Sequence, residues 1–390
     1  MCFSRNEDFD YEEFKKDYDK TEKCGEVAGM EIEEEIRKIE EEISRTPYNK
    51  ATQKHIGFLK AKLARLRERR AGKRSSGYGY GVRKSGDATV ILVGFPSVGK
   101  STILNRLTRA ESRVGEYDFT TINVIPGMME YNGARIQILD IPGVIEGVSS
   151  GKGRGREILS VVRNADLILI VAEPGNLDRI QEIRKELYNA GFRLDQKKPD
   201  VKIIKRCGGG IEIGSAVKLT KITRDVIQSV LREFRILNAE VVIRQDITLD
   251  QFIDSVMDNR VYVPSLTVIN KIDTLEKDKL EKLQREYGDY IFISAEKRIN
   301  MESLKEEIWK KLCLIRVYLK RIGKEPDMNE PIILKKGSAI KHVAEKIHSR
   351  VFGERLMYAR IWGPSARFPG QKKGPDHILM DGDIVELHVR

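Results

Sequence analysis

Four short runs in this chain carry residue types and spacings able to do chemistry together. Gly94-Phe95-Pro96-Ser97-Val98-Gly99-Lys100-Ser101 fits Gly-x-x-x-x-Gly-Lys-Ser, a pattern in which glycines let backbone N–H groups close around phosphates. A helix starting there adds its partial positive charge. Lys100 would reach the β- and γ-phosphates, the Ser101 hydroxyl would ligate Mg²⁺, and Thr102 continues the cradle into the helix. Asp140-Ile141-Pro142-Gly143 supplies an aspartate able to hold the water shell of that Mg²⁺ and a glycine N–H for the γ-phosphate. Asn270-Lys271-Ile272-Asp273 is the informative run. A carboxylate at Asp273 can accept from both the ring N–H and the exocyclic amine of guanine, a donor pair that adenine lacks. Asn270 would touch the outer edge of the base and support the phosphate loop, and the Lys271 stem would cover its flat face. Ser294-Ala295 offers a backbone N–H for the guanine oxygen. Any one of these runs is common on surface loops; the order of all four is what argues for a purine triphosphate site.

Such a site also needs a hydroxyl that reaches the metal only while a γ-phosphate is bound. Thr120 and Thr121 are the adjacent candidates between the phosphate loop and Asp140; Thr121 is the choice, its neighbour being able to cap local backbone instead. Val144 follows Gly143 where many such proteins keep a water-orienting glutamine. Valine cannot orient water, so slow unaided turnover is expected unless backbone, a cation or a partner does so. Arg154 and Arg156 sit in the next loop, where solvated charge is the ordinary reading. His55, His342, His348, His377 and His388 lack metal-ligand spacing and receive no role.

The elements that must position these groups are legible from hydropathy. Runs at Thr89–Val93, Ile136–Leu139, Leu167–Val171, Leu266–Ile269 and Ile291–Ile293 are continuously apolar, as parallel strands covered on both faces are. Helical segments separate them, Thr102–Leu107 first. The expected fold class is therefore α/β, a doubly wound, mostly parallel sheet with a phosphate loop after its first strand. Residues 1–29 form an N-terminal extension expected to be disordered, and Met30 is a candidate start. A helical hairpin follows over 30–74, with Ile32, Ile36, Ile39 and Ile43 on one arm and Ile56, Leu59, Leu63 and Leu66 on the other. A Gly-rich linker spans 75–86, and the main domain takes 87–177 and 246–312. The intervening 178–245 is more chain than one crossover helix requires and reads as an inserted α+β subdomain. Residues 313–390 form a β-rich end module whose helix has Ser338 as N-cap.

Composition narrows the setting. The 390 residues carry a net charge of +11, which favours contact with a polyanion such as RNA. No apolar run approaches the roughly 20 residues of a membrane helix, and Met1–Asp10 lacks signal-peptide order. A cytoplasmic protein without a membrane partner is expected. Cys2, Cys24, Cys207 and Cys313 are too scattered for a metal or disulfide framework.

The phosphate loop, Phe119-Thr120-Thr121, Asp140-Ile141-Pro142-Gly143-Val144-Ile145 and Asn270-Lys271-Ile272-Asp273, with Thr46-Pro47-Tyr48-Asn49-Lys50-Ala51-Thr52 and Asn238-Ala239-Glu240-Val241, resemble the developmentally regulated GTP-binding proteins among the Obg-like GTPases. The resemblance implies a Mg²⁺-dependent GTPase switch binding GTP and GDP, with Lys100, Thr121 and Gly143 in catalytic roles. It implies association with ribosomes or RNA, a small stabilising partner protein, and stimulation by K⁺, although Ser97 stands where several K⁺-dependent relatives use asparagine. By the same resemblance the insert is similar to the second domain of a ribosomal small-subunit protein. The end module resembles a TGS domain of β-grasp fold.

Overall fold

Continuous apolar strands can be satisfied only by a layer of structure on each face, and the computed structural model builds that arrangement. It describes residues 31–47, 49, 51–70, 85–108, 125–141, 162–347 and 356–389. The chain divides into two units, Met1–Gly77 with Lys197–Arg260, and Tyr78–Gln196 with Val261–Arg390.

In the second unit, β1 (Ala88–Val93), β2 (Ile125–Tyr131), β3 (Ala134–Asp140) and β4 (Leu167–Ala172) join β10 (Ser265–Ile269) and β11 (Ile291–Phe292) in one sheet ordered β11-β10-β4-β1-β3-β2. Every pairing is parallel except β2 with β3. Alternate residues of β1 serve opposite cores. Val90 and Leu92 face a cluster with Ile103, Leu104 and Leu107, whereas Ile91 and Val93 face Ile180, Ile183 and Leu187. Helix 100–107 and helix Met301–Leu312 thus cover one face, and helix Arg179–Asn189 covers the other. Burying each such aliphatic side chain contributes about 1.5–3 kcal/mol, which is why apolar continuity, and not alternation, marks these strands. The chain runs from β1 to β3 on one side and then to β4 on the other. That switch point, at the carboxyl ends of the strands, is where open α/β sheets bind ligands.

The same unit ends in a five-stranded sheet, β13-β12-β16-β14-β15, made of β12 (Leu314–Lys320), β13 (Pro326–Lys335), β14 (Leu356–Trp362), β15 (Gln371–Lys373) and β16 (Asp383–Val389), with helix Ile340–Ile347 packed on it. This is the expected β-grasp module. Its helix begins at Ile340, and His342 Nδ1 accepts the Ala339 N–H at 2.8 Å. Ala339, not the expected Ser338, is thus the residue directly before the helix, and the His342 ring satisfies its N–H. Lys335 binds Asp166 (2.7 Å) and Lys346 binds Asp87 (2.6 Å), fixing the module to the opposite end of the sheet from the switch point.

The first unit holds helix 31–45 against helix Gln53–Arg70 through Ile36, Ile39, Leu59, Leu63 and Leu66. It also holds a three-stranded sheet, β6-β8-β7 (Val201–Lys205, Ala239–Ile243, Ile211–Ser215), with helices Arg224–Glu233 and Leu249–Met257 on one face. Helix 179–189, β5 (Phe192–Leu194) and β9 (Val261–Val263) belong instead to the sheet unit, so the break falls at 197 and 260, later at both ends than the expected 178 and 245. Among the described residues no helix is long and apolar enough to cross a membrane.

Candidate functional site

Strand ends deliver the motif residues to one edge. Val93 ends β1, Asp140 ends β3, Ile269 ends β10 and Phe292 ends β11, so the loops that follow share the carboxyl edge of the sheet. The loop after β1 is bent by two left-handed residues, Ser97 (φ 64°) and Gly99 (φ 90°). A left-handed conformation costs a side-chain-bearing residue roughly 1–2 kcal/mol. Alternation of hand turns successive N–H groups inward and makes an anion-binding concavity. Close approach also demands the glycines: a Cβ on Gly94 would lie 2.5 Å from the Val171 carbonyl oxygen, and one on Gly99 would lie 2.4 Å from Asn270 Nδ2.

Lys100 opens the helix and turns its ammonium back over the loop, donating to the carbonyls of Gly94 (3.0 Å) and Phe95 (2.9 Å). The next residue, Ser101, donates its hydroxyl to Asp140 Oδ2 at 2.7 Å. Asp140 is buried, and its Oδ1 meets no hydrogen-bond partner among the described residues. A buried carboxylate oxygen without a partner is costly. A hydroxyl and a carboxylate side by side form a hard-oxygen donor set suited to Mg²⁺, which keeps waters and takes its other ligands from substrate phosphates. Among the described residues no group of three or more His, Cys, Asp or Glu could hold a metal. Pro96 and Ser97 are exposed at the loop tip, Val98 is buried beneath it, and Thr102 lies in the first helical turn.

Asn270 ties the base side to the phosphate side. It is buried, donates Nδ2 to the Val98 carbonyl (3.0 Å) and accepts the Ala295 N–H on Oδ1 (3.0 Å). Of the two N–H groups that Ser294-Ala295 offers, that of Ala295 is thus engaged by Asn270 and that of Ser294 by the Ile299 carbonyl at 3.2 Å. Ser294, fully buried, contributes a hydroxyl that the sequence reading overlooked, donating to Asp273 Oδ1 at 2.5 Å. Lys297 stands 3.7 Å from the other oxygen. The Ser294 hydrogen bond, helped by Lys297, holds the Asp273 carboxyl below its ordinary value despite burial that pushes the other way, so it is an ionised acceptor at neutral pH. Lys271 adopts φ 66° and pairs through Nζ with Glu173 Oε2 at 2.9 Å.

Glu173 carries no motif; its signal in the sequence is an acid directly after a buried strand, one position beyond the strand-end placement of Asp140. Thr121, Gly143, Val144, Arg154 and Arg156 lie outside the described residues. Ser101, Asp140, Asn270, Asp273, Ser294 and Ala295 do converge on one sheet edge.

Comparison with known proteins agrees with this geometry. The 50S ribosome-binding GTPase family matches residues 89–206, the C-terminal region of that GTPase domain matches 208–314, and the TGS domain matches 315–389. Fold and site together define a GTP-binding P-loop GTPase of the Obg type with a C-terminal TGS domain. An uncharacterized GTP-binding protein of Methanocaldococcus jannaschii is 56% identical, covering 94% of each chain. Developmentally-regulated GTP-binding protein 2 of Homo sapiens is 43% identical over 92% of this chain and 99% of its own. The chain belongs to the family of developmentally regulated GTP-binding proteins. Among solved structures, the Schizosaccharomyces pombe YchF GTPase aligns with a TM-score of 0.44 at 15% identity, covering 78% of this chain and 99% of that one.

Proposed function

We propose that the protein hydrolyses GTP to GDP and phosphate as a Mg²⁺-dependent switch, and that the switch acts on ribosomes or RNA. The observation that carries the enzymatic part is the pairing of Ser101 Oγ with Asp140, whose second oxygen is buried without a partner among the described residues. Bound there, Mg²⁺ would neutralise charge developing on the phosphate oxygens. The chain's own part is positional. Loop amides grip the phosphates, and Lys100 exchanges its two carbonyl partners for the β- and γ-oxygens. Asp273 selects guanine, while Thr121 and the Gly143 N–H are assigned to sensing the γ-phosphate. With Val144 unable to orient water, turnover is slow unless backbone, a cation or a partner positions that water. Stimulation by K⁺ is part of the reading and is tested by comparing rates in potassium and sodium salts. Single-turnover release of phosphate from GTP, with and without Mg²⁺, tests the reading; absence of release from folded, GTP-loaded protein refutes it.

A second reading, a nucleotide-gated RNA-binding module in which hydrolysis is incidental, draws support from the TGS sheet. On the face away from helix 340–347, register aligns Lys372, Arg360 and Glu386, with Lys320 bonded to the far side of Glu386. Arg360 is exposed and has no ion-pair partner among the described residues, while Tyr358, Trp362 and His388 flank the row. Cations interleaved with aromatic rings suit a nucleic-acid strand. Ribosome co-sedimentation with GDP and with a non-hydrolysable GTP analogue separates the readings. If Thr121→Ala toggles association normally, switching linked to hydrolysis loses its support.

A further inference from the structure

Lys271 is assigned to covering the base, yet a lysine side chain has four rotatable bonds and much rotamer freedom to lose. Something must hold it extended if its stem is to present a flat apolar surface. The register of the parallel sheet supplies the partner. Ile269 of β10 lies opposite Ala172 of β4, and the Asn270 N–H continues the ladder to the Ala172 carbonyl at 2.9 Å. Glu173, the first residue beyond β4, and Lys271, the second beyond β10, therefore leave adjacent strand ends, and their side chains meet.

Glu173 is itself fixed. Its Oε1 accepts from Asn176 Nδ2 at 2.7 Å, and the Asn176 N–H returns to the Glu173 carbonyl at 3.1 Å, a closed turn at the strand end. Oε2 takes the Lys271 ammonium at 2.9 Å. Six residues beyond Glu173, Arg179 stacks its guanidinium on Phe95 of the phosphate loop, 4.7 Å from the ring centroid. The segment after β4, which matches no motif, thus braces the base loop at one point and the phosphate loop at another. Lys271 also begins the short helical turn Ile272–Thr274 from a left-handed conformation. Tethering its side chain therefore steadies the residue immediately before the turn that carries Asp273.

We propose that Glu173 is a positioning residue of the guanine-nucleotide site: it anchors the Lys271 ammonium so that the stem lies flat against the base. The inference rests on the nucleotide site proposed above. The two side chains are 40% and 30% exposed, so solvent screens the pair, and the effect of losing it should be about two- to five-fold in nucleotide affinity. Because the stem touches the face of the base and not its edge, the loss must be the same for any purine that the site accepts.

The experiment is a double-mutant cycle on the full chain, titrating a fluorescently labelled GDP with Mg²⁺ present. Glu173→Gln should weaken binding about two- to five-fold, Glu173→Asp should recover part of that, and Lys271→Met, which keeps an apolar stem without charge, should abolish the dependence on residue 173. In an Asp273→Asn background read with labelled XDP, Glu173→Gln should lose the same factor. Asn176→Ala, which frees Glu173 without removing it, should shift affinity in the same direction by less, and it gives the test a second route should Glu173→Gln fold poorly. Equal affinity of wild type and both variants overturns the proposal, as does an undiminished loss in the Lys271→Met background. Failure of the wild type to bind labelled GDP at all would instead refute the nucleotide site itself.

Discussion

Truncating Asn270 to alanine tests how the two halves of the site are joined. The amide bonds both the phosphate loop, at the Val98 carbonyl, and the 294–295 loop, at the Ala295 N–H, each at 3.0 Å. Both partners are buried in the described structure, and an alanine reaches neither. A buried backbone group left without a partner costs about 1–3 kcal/mol, so two cost about 2–6 kcal/mol, before counting any void. For a unit of this size, 1 kcal/mol moves the melting temperature by about 2–4 °C. A central value of about 4 kcal/mol therefore lowers the transition of the sheet-bearing unit by roughly 8–16 °C. Scanning calorimetry without nucleotide reads that directly, and the same variant should lose GDP-dependent stabilisation. Asn270→Asp keeps the acceptor for Ala295 but removes the donor and buries a charge, so it should be no more stable than alanine. A melting temperature within about 2 °C of wild type for Asn270→Ala would refute the bridge as the element holding the loops together.

Gly99→Ala places a Cβ 2.4 Å from Asn270 Nδ2 at φ 90°; it should abolish GDP binding by titration calorimetry while leaving the TGS module folded. Ser101→Ala should cut the Mg²⁺-dependent part of GTP affinity by about ten-fold or more, and binding measured in excess chelator should differ little from wild type. The Ser294 hydrogen bond holds the Asp273 carboxyl below its ordinary 3.8. A lowered folded-state value means the contribution is complete above the ordinary value and is lost as pH falls through the lowered one. Ser294→Ala should therefore begin to lose GDP affinity at higher pH than wild type in an acid titration; coincident curves would discard that hydrogen bond as the cause.

Much of this was readable before any coordinates, for a physical reason: strands buried on both faces cannot hide polar residues, so β1, β4 and β10 announce themselves as apolar runs. The first polar or glycine residues beyond them were the correct place to look for chemistry. What the sequence withheld depends on register and on which core a helix joins. Ile180, Ile183 and Leu187 have helical spacing, but nothing in that spacing says they pack on the main sheet instead of the insert. Asn270 was identified as support for the phosphate loop, yet its engagement of the Ala295 N–H follows from how two loops meet. Glu173 escaped because its partner is nearly a hundred residues away in sequence and adjacent only through the β4–β10 ladder. His342 escaped because the residue that reaches back from this position is ordinarily Glu or Gln, and an imidazole in its place does not fit the usual signature.

Base selection by Asp273 is the claim on which the rest depends, and competition calorimetry with Mg²⁺ measures it most directly. The wild type should bind GDP and GTP at one site and ignore ATP, and Asp273→Asn should transfer that preference to xanthine nucleotides. ATP binding as tightly as GTP, or an Asp273→Asn variant that still prefers guanine, would contradict the account.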